Sequence, residues 1–233
     1  MDIIQELTKA GITVATTQLF NRVFALWDRT NLNARRLVRE LNSRAYINYL
    51  EKHVSRVVSL RTIHSSEYDV QLKDMYHPLR IRGVIPNSSS QLVKDGFYIE
   101  NEKITNIIGI AGQGKSTILR KIFVEQLFNG NKIPFFIELR KVSDEGIRKS
   151  LQNILVNLSL KPSDIEVEEL LASSKIILML DGFDEINSER KNTILHEIVR
   201  LNLTYNLQII TTTRPGTAIC SEPSIVNFKV QLL

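Results

Sequence analysis

The sequence predicts an α/β protein whose strands form a parallel sheet covered by helices on both faces, preceded by a small helical domain. Three observations carry this reading. After residue 103, short continuous apolar runs alternate with helical stretches, as strands buried on both sides require. The first of those runs leads straight into closely spaced glycines and then a helix. Before residue 68, apolar residues recur at helical spacing and no strand alternation is visible.

The elements follow in order. Ile3, Leu7, Val14, Leu19, Val23, Leu26 and Trp27 predict one helical stretch. A second runs from about Asn33 to Leu60, with Leu37, Leu41, Ala45 and Tyr49 four apart. Together they define a helical domain over 1–67. Residues 68–103 read as a connector rich in turn signals: His77-Pro78, Gly83, Pro86-Asn87-Ser88-Ser89-Ser90 and Asp95-Gly96. The α/β core is expected over 104–233. Ile104–Ile110 is its first strand, and Lys115–Phe128 a helix with Leu119, Phe123 and Leu127 on one face. Ile133–Leu139 is a strand whose Pro134 sits near its start, where a missing N–H is tolerated. Helices over Glu145–Leu158 and Pro162–Ala172 follow, the second opened by Pro162 and Ser163. Lys175–Leu180 is a strand, Ser188–Leu203 a helix, and Leu207–Thr213 and Val226–Leu232 are the last two strands.

Composition narrows the function classes. The 233 residues are 43% hydrophobic and 24% charged, ordinary for a globular chain. No apolar run approaches the roughly 20 residues that span a bilayer. Asp2, Gln5, Glu6 and Lys9 interrupt the N-terminus, unlike a signal peptide. A single cysteine, Cys220, excludes an internal disulfide and any cysteine-cluster metal site, so a reducing, cytoplasmic setting is expected. The net charge of +5 is mild. Arg29, Arg35, Arg36, Arg39, Arg44, Lys52, Arg56 and Arg61 nevertheless crowd one early stretch. Such a run fits either the solvated face of a helix or, the less favoured reading, contact with nucleic acid or an acidic partner.

Three constellations carry chemistry. Gly109, Gly114, Lys115 and Ser116 satisfy G-x-x-x-x-G-K-[ST] within Gly109-Ile110-Ala111-Gly112-Gln113-Gly114-Lys115-Ser116-Thr117. Glycines let the backbone wrap phosphates with its N–H groups inward, and the following helix turns its N-terminus to the same charge. Lys115 is expected to reach the β- and γ-phosphates of ATP or GTP, and the Ser116 hydroxyl to bind Mg²⁺. The second constellation is the apolar strand ending in Asp181, with Gly182, Phe183, Asp184 and Glu185 after it. Asp181 is placed to hold Mg²⁺, and Asp184 or Glu185, with Glu185 preferred, to orient or deprotonate the attacking water. The third is Thr211-Thr212-Thr213-Arg214-Pro215, a strand tip whose Arg214 suits a γ-phosphate. Other candidates fail. His196-Glu197 starts like H-E-x-x-H, but the fifth position is Arg200. His53, His64 and His77 are isolated and read as structural.

Gly-Ile-Ala-Gly-Gln-Gly-Lys-Ser-Thr, Leu-Asp-Gly-Phe-Asp-Glu and Thr-Thr-Thr-Arg-Pro together resemble a NACHT domain, of the STAND class of signal-transducing P-loop NTPases. The likeness covers about 80–233, and Val70–Leu79 is similar to the lead-in of prokaryotic members. It implies a five-stranded parallel sheet of order 5-1-4-3-2, with ATP rather than GTP as the ligand. It further implies slow hydrolysis, an ADP-bound off state and an ATP state that self-associates. Ala111, Gly112, Gln113 and Thr117 then join the nucleotide cradle, and Tyr76–Leu79 borders the adenine. Members continue into a helical subdomain, a winged helix and a sensor, which do not follow Leu233 in this sequence, so weak affinity and turnover are expected. Three functions stay open: a defence-related switch, anti-phage or innate-immune; a P-loop ATPase working with nucleic acid; and a nucleotide-binding module without turnover.

Overall fold

The computed structural model describes residues 49–62, 65–72, 76–86, 88–99 and 103–231. The helices expected over Ile3–Trp27 and over 33–48 lie outside these residues. Helical structure is present over Tyr49–Val54, as a π-helical stretch, and over Ser55–Val58 (α1). It does not reach Leu60. Strands β1 (Ser59–Thr62) and β2 (Ser65–Gln71) pair antiparallel instead, which corrects the expectation of helix alone before residue 68.

The main sheet is also larger than expected. Strands β3 (Leu79–Gly83) and β4 (Ser90–Val93) precede β5 (Ile104–Ile108), β6 (Ile133–Glu138), β7 (Ile176–Asp181), β8 (Gln208–Thr213) and β9 (Ile225–Gln231). Their order is β4-β3-β9-β5-β8-β7-β6. Parallel pairs join β9, β5, β8, β7 and β6, while β3 runs antiparallel to both β9 and β4. The sheet is therefore a mixed one of seven strands, not a parallel one of five, and the supposed connector over 68–103 supplies two of them. The cause is visible at Leu79-Arg80-Ile81-Arg82. Ile81 is fully buried while both arginines are exposed, a period-two strand with one apolar face.

The strands flanking the glycine-rich loop are dry. Every residue of β5 and β8 is buried, as a sheet covered on both faces demands. Helix α2 (Lys115–Asn129) turns Ile118, Leu119, Ile122 and Phe123 into the core. Helices α3 (Gly146–Asn157), α4 (Asp164–Ala172) and α5 (Ser188–Tyr205) complete the layers. Two helix starts explain themselves. Ser163 and Glu166 form a reciprocal capping box on α4. The α3 start has no local cap, and Glu197 of α5 accepts from the Ile147 and Arg148 N–H groups at about 3 Å. The glutamate of the failed zinc pattern is thus a helix cap.

The two sheet edges are treated differently. β4 is tied to α2, where Gly96 N–H donates to Glu125 at 2.7 Å. Tyr76 braces the same corner, its hydroxyl donating to the Val93 carbonyl at 2.7 Å. Burial pushes that phenol up to about 12. The opposite edge, β6, is closed by side chains rather than by another strand. Tyr49 donates its hydroxyl to the Pro134 carbonyl, and His53 Nε2 accepts the Phe136 N–H at 3.0 Å. Backbone groups that would face outward along an edge strand find partners on the Tyr49–Val58 segment. Tyr49, Val54, Val57 and Val58 belong to the same apolar core as the sheet.

Candidate functional site

The site forms where β5, β7 and β8 end. In parallel α/β sheets that is the carboxyl edge, where ligands bind. β5 stops at Ile108, and Gly109 N–H donates to the Thr213 carbonyl at 3.1 Å. The loop that follows is held by its own side chains. Gln113 Oε1 accepts the Ile110 N–H at 2.9 Å, and Gln113 Nε2 donates to the Val230 carbonyl at 3.1 Å. Gly112 and Gly114 adopt φ of 74° and 82°, left-handed values that a Cβ disfavours. At Gly114 a Cβ would also sit 2.6 Å from Leu79 Cδ1. Leu79 of the lead-in therefore rests on the loop. Helix α2 begins at Lys115 with no side-chain cap, so its first-turn N–H groups are of the kind anions satisfy. Lys115 Nζ donates back to the Ile110 carbonyl at 2.9 Å.

Across from the loop, Asp181 Oδ1 accepts from Ser116 Oγ at 2.9 Å and from Thr212 Oγ1 at 2.7 Å. Thr212 Oγ1 in turn accepts the Gly182 N–H at 2.8 Å. One threonine thus locks the β7 and β8 tips together. Gly182 takes φ 78°, which turns the chain into a short 3₁₀ stretch carrying Asp184 and Glu185. The two acids differ. Asp184 is mostly buried and binds Arg214 twice, accepting its N–H at 3.1 Å and pairing with Nε at 2.8 Å. Glu185 is about half exposed and meets only the edge of Arg140, at 3.7 Å.

A cavity of about 300 Å³ joins these parts. The loop side supplies Ala111, Gly112, Gly114, Lys115, Ser116 and Thr117; the facing side supplies Gly182, Asp184, Glu185, Thr212 and Arg214. Gly109, Gln113 and Asp181 stand behind this lining, the first two shaping the loop and the last holding Ser116. Tyr76 and Leu79 lie outside it.

Sequence reasoning passed over two residues. Thr212 was visible only as one of three consecutive threonines. Arg140, which pairs with Glu138 at 2.8 Å and approaches Glu185, follows a strand end that sits in register with Asp181. That register was the signal, and it is a property of the sheet.

The donor set fits magnesium. Ser116 Oγ and Asp181 Oδ1 are adjacent hard oxygens beside a phosphate cradle, as this ion prefers. Among the described residues no cluster of three or more His, Cys, Asp or Glu offers an alternative metal site. Nor, among them, is any helix long and apolar enough to cross a membrane.

The NACHT domain family matches residues 103–230. The human "NACHT, LRR and PYD domains-containing protein 12" is 26% identical over 128 residues, covering 46% of this chain. The match takes in only 12% of that protein's length. Among solved structures, C. elegans PCH-2 aligns with 14% identity and a TM-score of 0.34, over 55% of this chain and 36% of its own.

Proposed function

The chain belongs to the NACHT domain family, and from that premise we propose that it is an ATP-operated signalling switch that hydrolyses its nucleotide slowly. The observation that carries the reading is the single cavity on which Lys115, Ser116, Glu185 and Arg214 converge, with Asp181 bound to Ser116 behind it.

The roles follow from position. Lys115 leaves the Ile110 carbonyl to take the β- and γ-phosphates. Backbone N–H groups of Gly112 to Thr117 cradle the phosphate oxygens. Ser116 and Asp181 would hold Mg²⁺, which when bound neutralises charge on the phosphates. Glu185, the more exposed of the two acids, orients the attacking water. Asp184 fixes Arg214 through Nε, which keeps the two amino groups of the guanidinium for γ-phosphate oxygens. Since Asp184 binds both the backbone and the side chain of Arg214, loss of the γ-phosphate alters a contact that ties β7 to β8. We propose that this contact reports the nucleotide state, that the ATP state self-associates, and that the output serves host defence in the cytoplasm.

The test is a comparison of three full-length proteins. Wild type should bind ATP with Mg²⁺, turn it over slowly and sediment as a larger species with ATP than with ADP. Lys115→Ala should lose binding by tenfold or more. Glu185→Gln should keep binding, lose most turnover and stay in the larger species. Unchanged hydrolysis in Glu185→Gln would remove its assigned role, and identical sedimentation with ATP and ADP would sink the switch.

A further inference from the structure

A second cavity, of about 250 Å³, lies between the Tyr49–Val58 segment, the end of β6 and helix α3. It shares no lining residue with the phosphate cavity. Its wall is cationic. Arg56, Arg120 and Lys141 border it against one carboxylate, Glu138. That carboxylate is already divided among Lys141 at 2.7 Å, Arg140 at 2.8 Å and Arg56 at 3.5 Å. Burial alone would raise its pKa, but hydrogen bonds from Lys141 and Arg140 hold it below the ordinary value.

Arg120 pairs with no acid at hydrogen-bond distance among the described residues. Its Nη1 donates to the Val57 carbonyl at 2.7 Å, its guanidinium stacks 5.2 Å from the Phe136 ring, and its buried Nε finds no acceptor. Three lining cations against one lining anion leave an excess of two positive charges. Of the three, Arg120 is the enclosed one, its Nε buried without an acceptor, and an unbalanced charge is costly there; a dianion would balance the excess. Phe136, Val142 and Ile154 form an apolar patch in the rest of the wall, beside Ser150, Asn153 and Asn157, and that patch suits a carbon body.

We propose that this recess binds a small phosphomonoester, with Arg56 and Lys141 closing on the phosphate and the ligand's carbon body against the apolar wall. A phosphate monoester carries about −1.5 to −2 charge at neutral pH, which matches the excess. At about 250 Å³ the recess has room for one phosphate ester rather than a strand of them. Side chains of Arg56 and Lys141 are 67% and 51% exposed, free to swing without unpacking the core.

Calorimetry on the full chain tests this. The background is Lys115→Ala, which disables the phosphate loop, and the probes are ribose 5-phosphate, ribose, inorganic phosphate and a short single-stranded oligonucleotide. Ribose 5-phosphate should bind at one site and more tightly than inorganic phosphate, with no heat from ribose. Adding Arg56→Gln and Lys141→Gln should weaken binding at least tenfold, while the circular dichroism spectrum stays unchanged. Retained affinity in that variant overturns the proposal, as does binding seen only when Lys115 is present. Equal affinity for phosphate and its ester removes the apolar wall from the argument and overturns the ester assignment. Oligonucleotide binding that needs Arg56 and Lys141, without ester binding, transfers the site to nucleic acid and overturns it as well.

Discussion

His53 ties the stability of this molecule to pH in a window set by its burial. The imidazole is 8% exposed and accepts the Phe136 N–H at 3.0 Å. It lies among the rings of Tyr49, Phe123 and Phe135 at 5.5–6.0 Å. Only the neutral ring can accept that bond. Burial, and secondarily the charge of Arg56, lowers its pKa from 6.5 to about 4. Arg120, Lys141 and Glu138 are the other charged groups of the recess that His53 borders. Above pH 6.5 the ring is neutral in folded and unfolded chains alike, and its contribution is fully present. As pH falls below 6.5 the unfolded chain takes up the proton first, so stability drops at about 1.4 kcal/mol per pH unit. The loss levels off below pH 4, having reached about 3 kcal/mol. Urea denaturation between pH 7 and pH 4 should show this loss in wild type. It should be absent from His53→Gln, whose amide oxygen accepts the same N–H without titrating. Carboxylates titrate in both proteins, so the difference between the curves isolates His53. Parallel curves refute the reasoning. So does an imidazole resonance that titrates in the folded protein near 6.5, a measurement that stands even if the variant folds poorly.

Two further outcomes follow from close contacts. Gly114→Ala places a Cβ at φ 82° and 2.6 Å from Leu79 Cδ1; it should cost about 1–2 kcal/mol by thermal denaturation and weaken nucleotide binding, since the loop must reshape. Tyr49→Phe removes the hydroxyl that satisfies the buried Pro134 carbonyl and should cost about 1–3 kcal/mol, with hydrogen exchange at Phe136 rising in step.

What could be read from the sequence was local. The phosphate loop, the α2 start at Lys115, the capping serine at 163 and the acid ending β7 each sit in a few consecutive residues whose chemistry has one use. Boundaries agree to within one or two residues at each of these. The rest depended on distance along the chain. β3 and β4 are five and four residues long, turn residues separate them, and only the pairing of β3 with β4 on one side and with β9 on the other makes them strands. His53 looked like any isolated structural histidine, because its partner is 83 residues away. Arg120 gave no sign that its guanidinium would turn to the carbonyl of Val57, 63 positions earlier. Asp184 and Glu185 are neighbouring acids whose surroundings the sequence does not distinguish, although Glu185 is the preferred one for the water. Their difference in exposure arises from Arg214, which another strand delivers.

The closed β6 edge bears on how the molecule can be cut. The stretch that the family description matches begins at residue 103, after Tyr49, His53 and both strands of the antiparallel flank. A fragment trimmed to that stretch would retain the whole phosphate loop. It would also bare the Pro134 carbonyl and Phe136 N–H on one margin and the outward face of β9 on the other. Two naked margins of opposite ends make a ribbon that can stack on itself indefinitely. The smallest piece of this chain expected to stay in solution is therefore set by what shields its flanks, and begins well ahead of the loop at Gly109–Ser116.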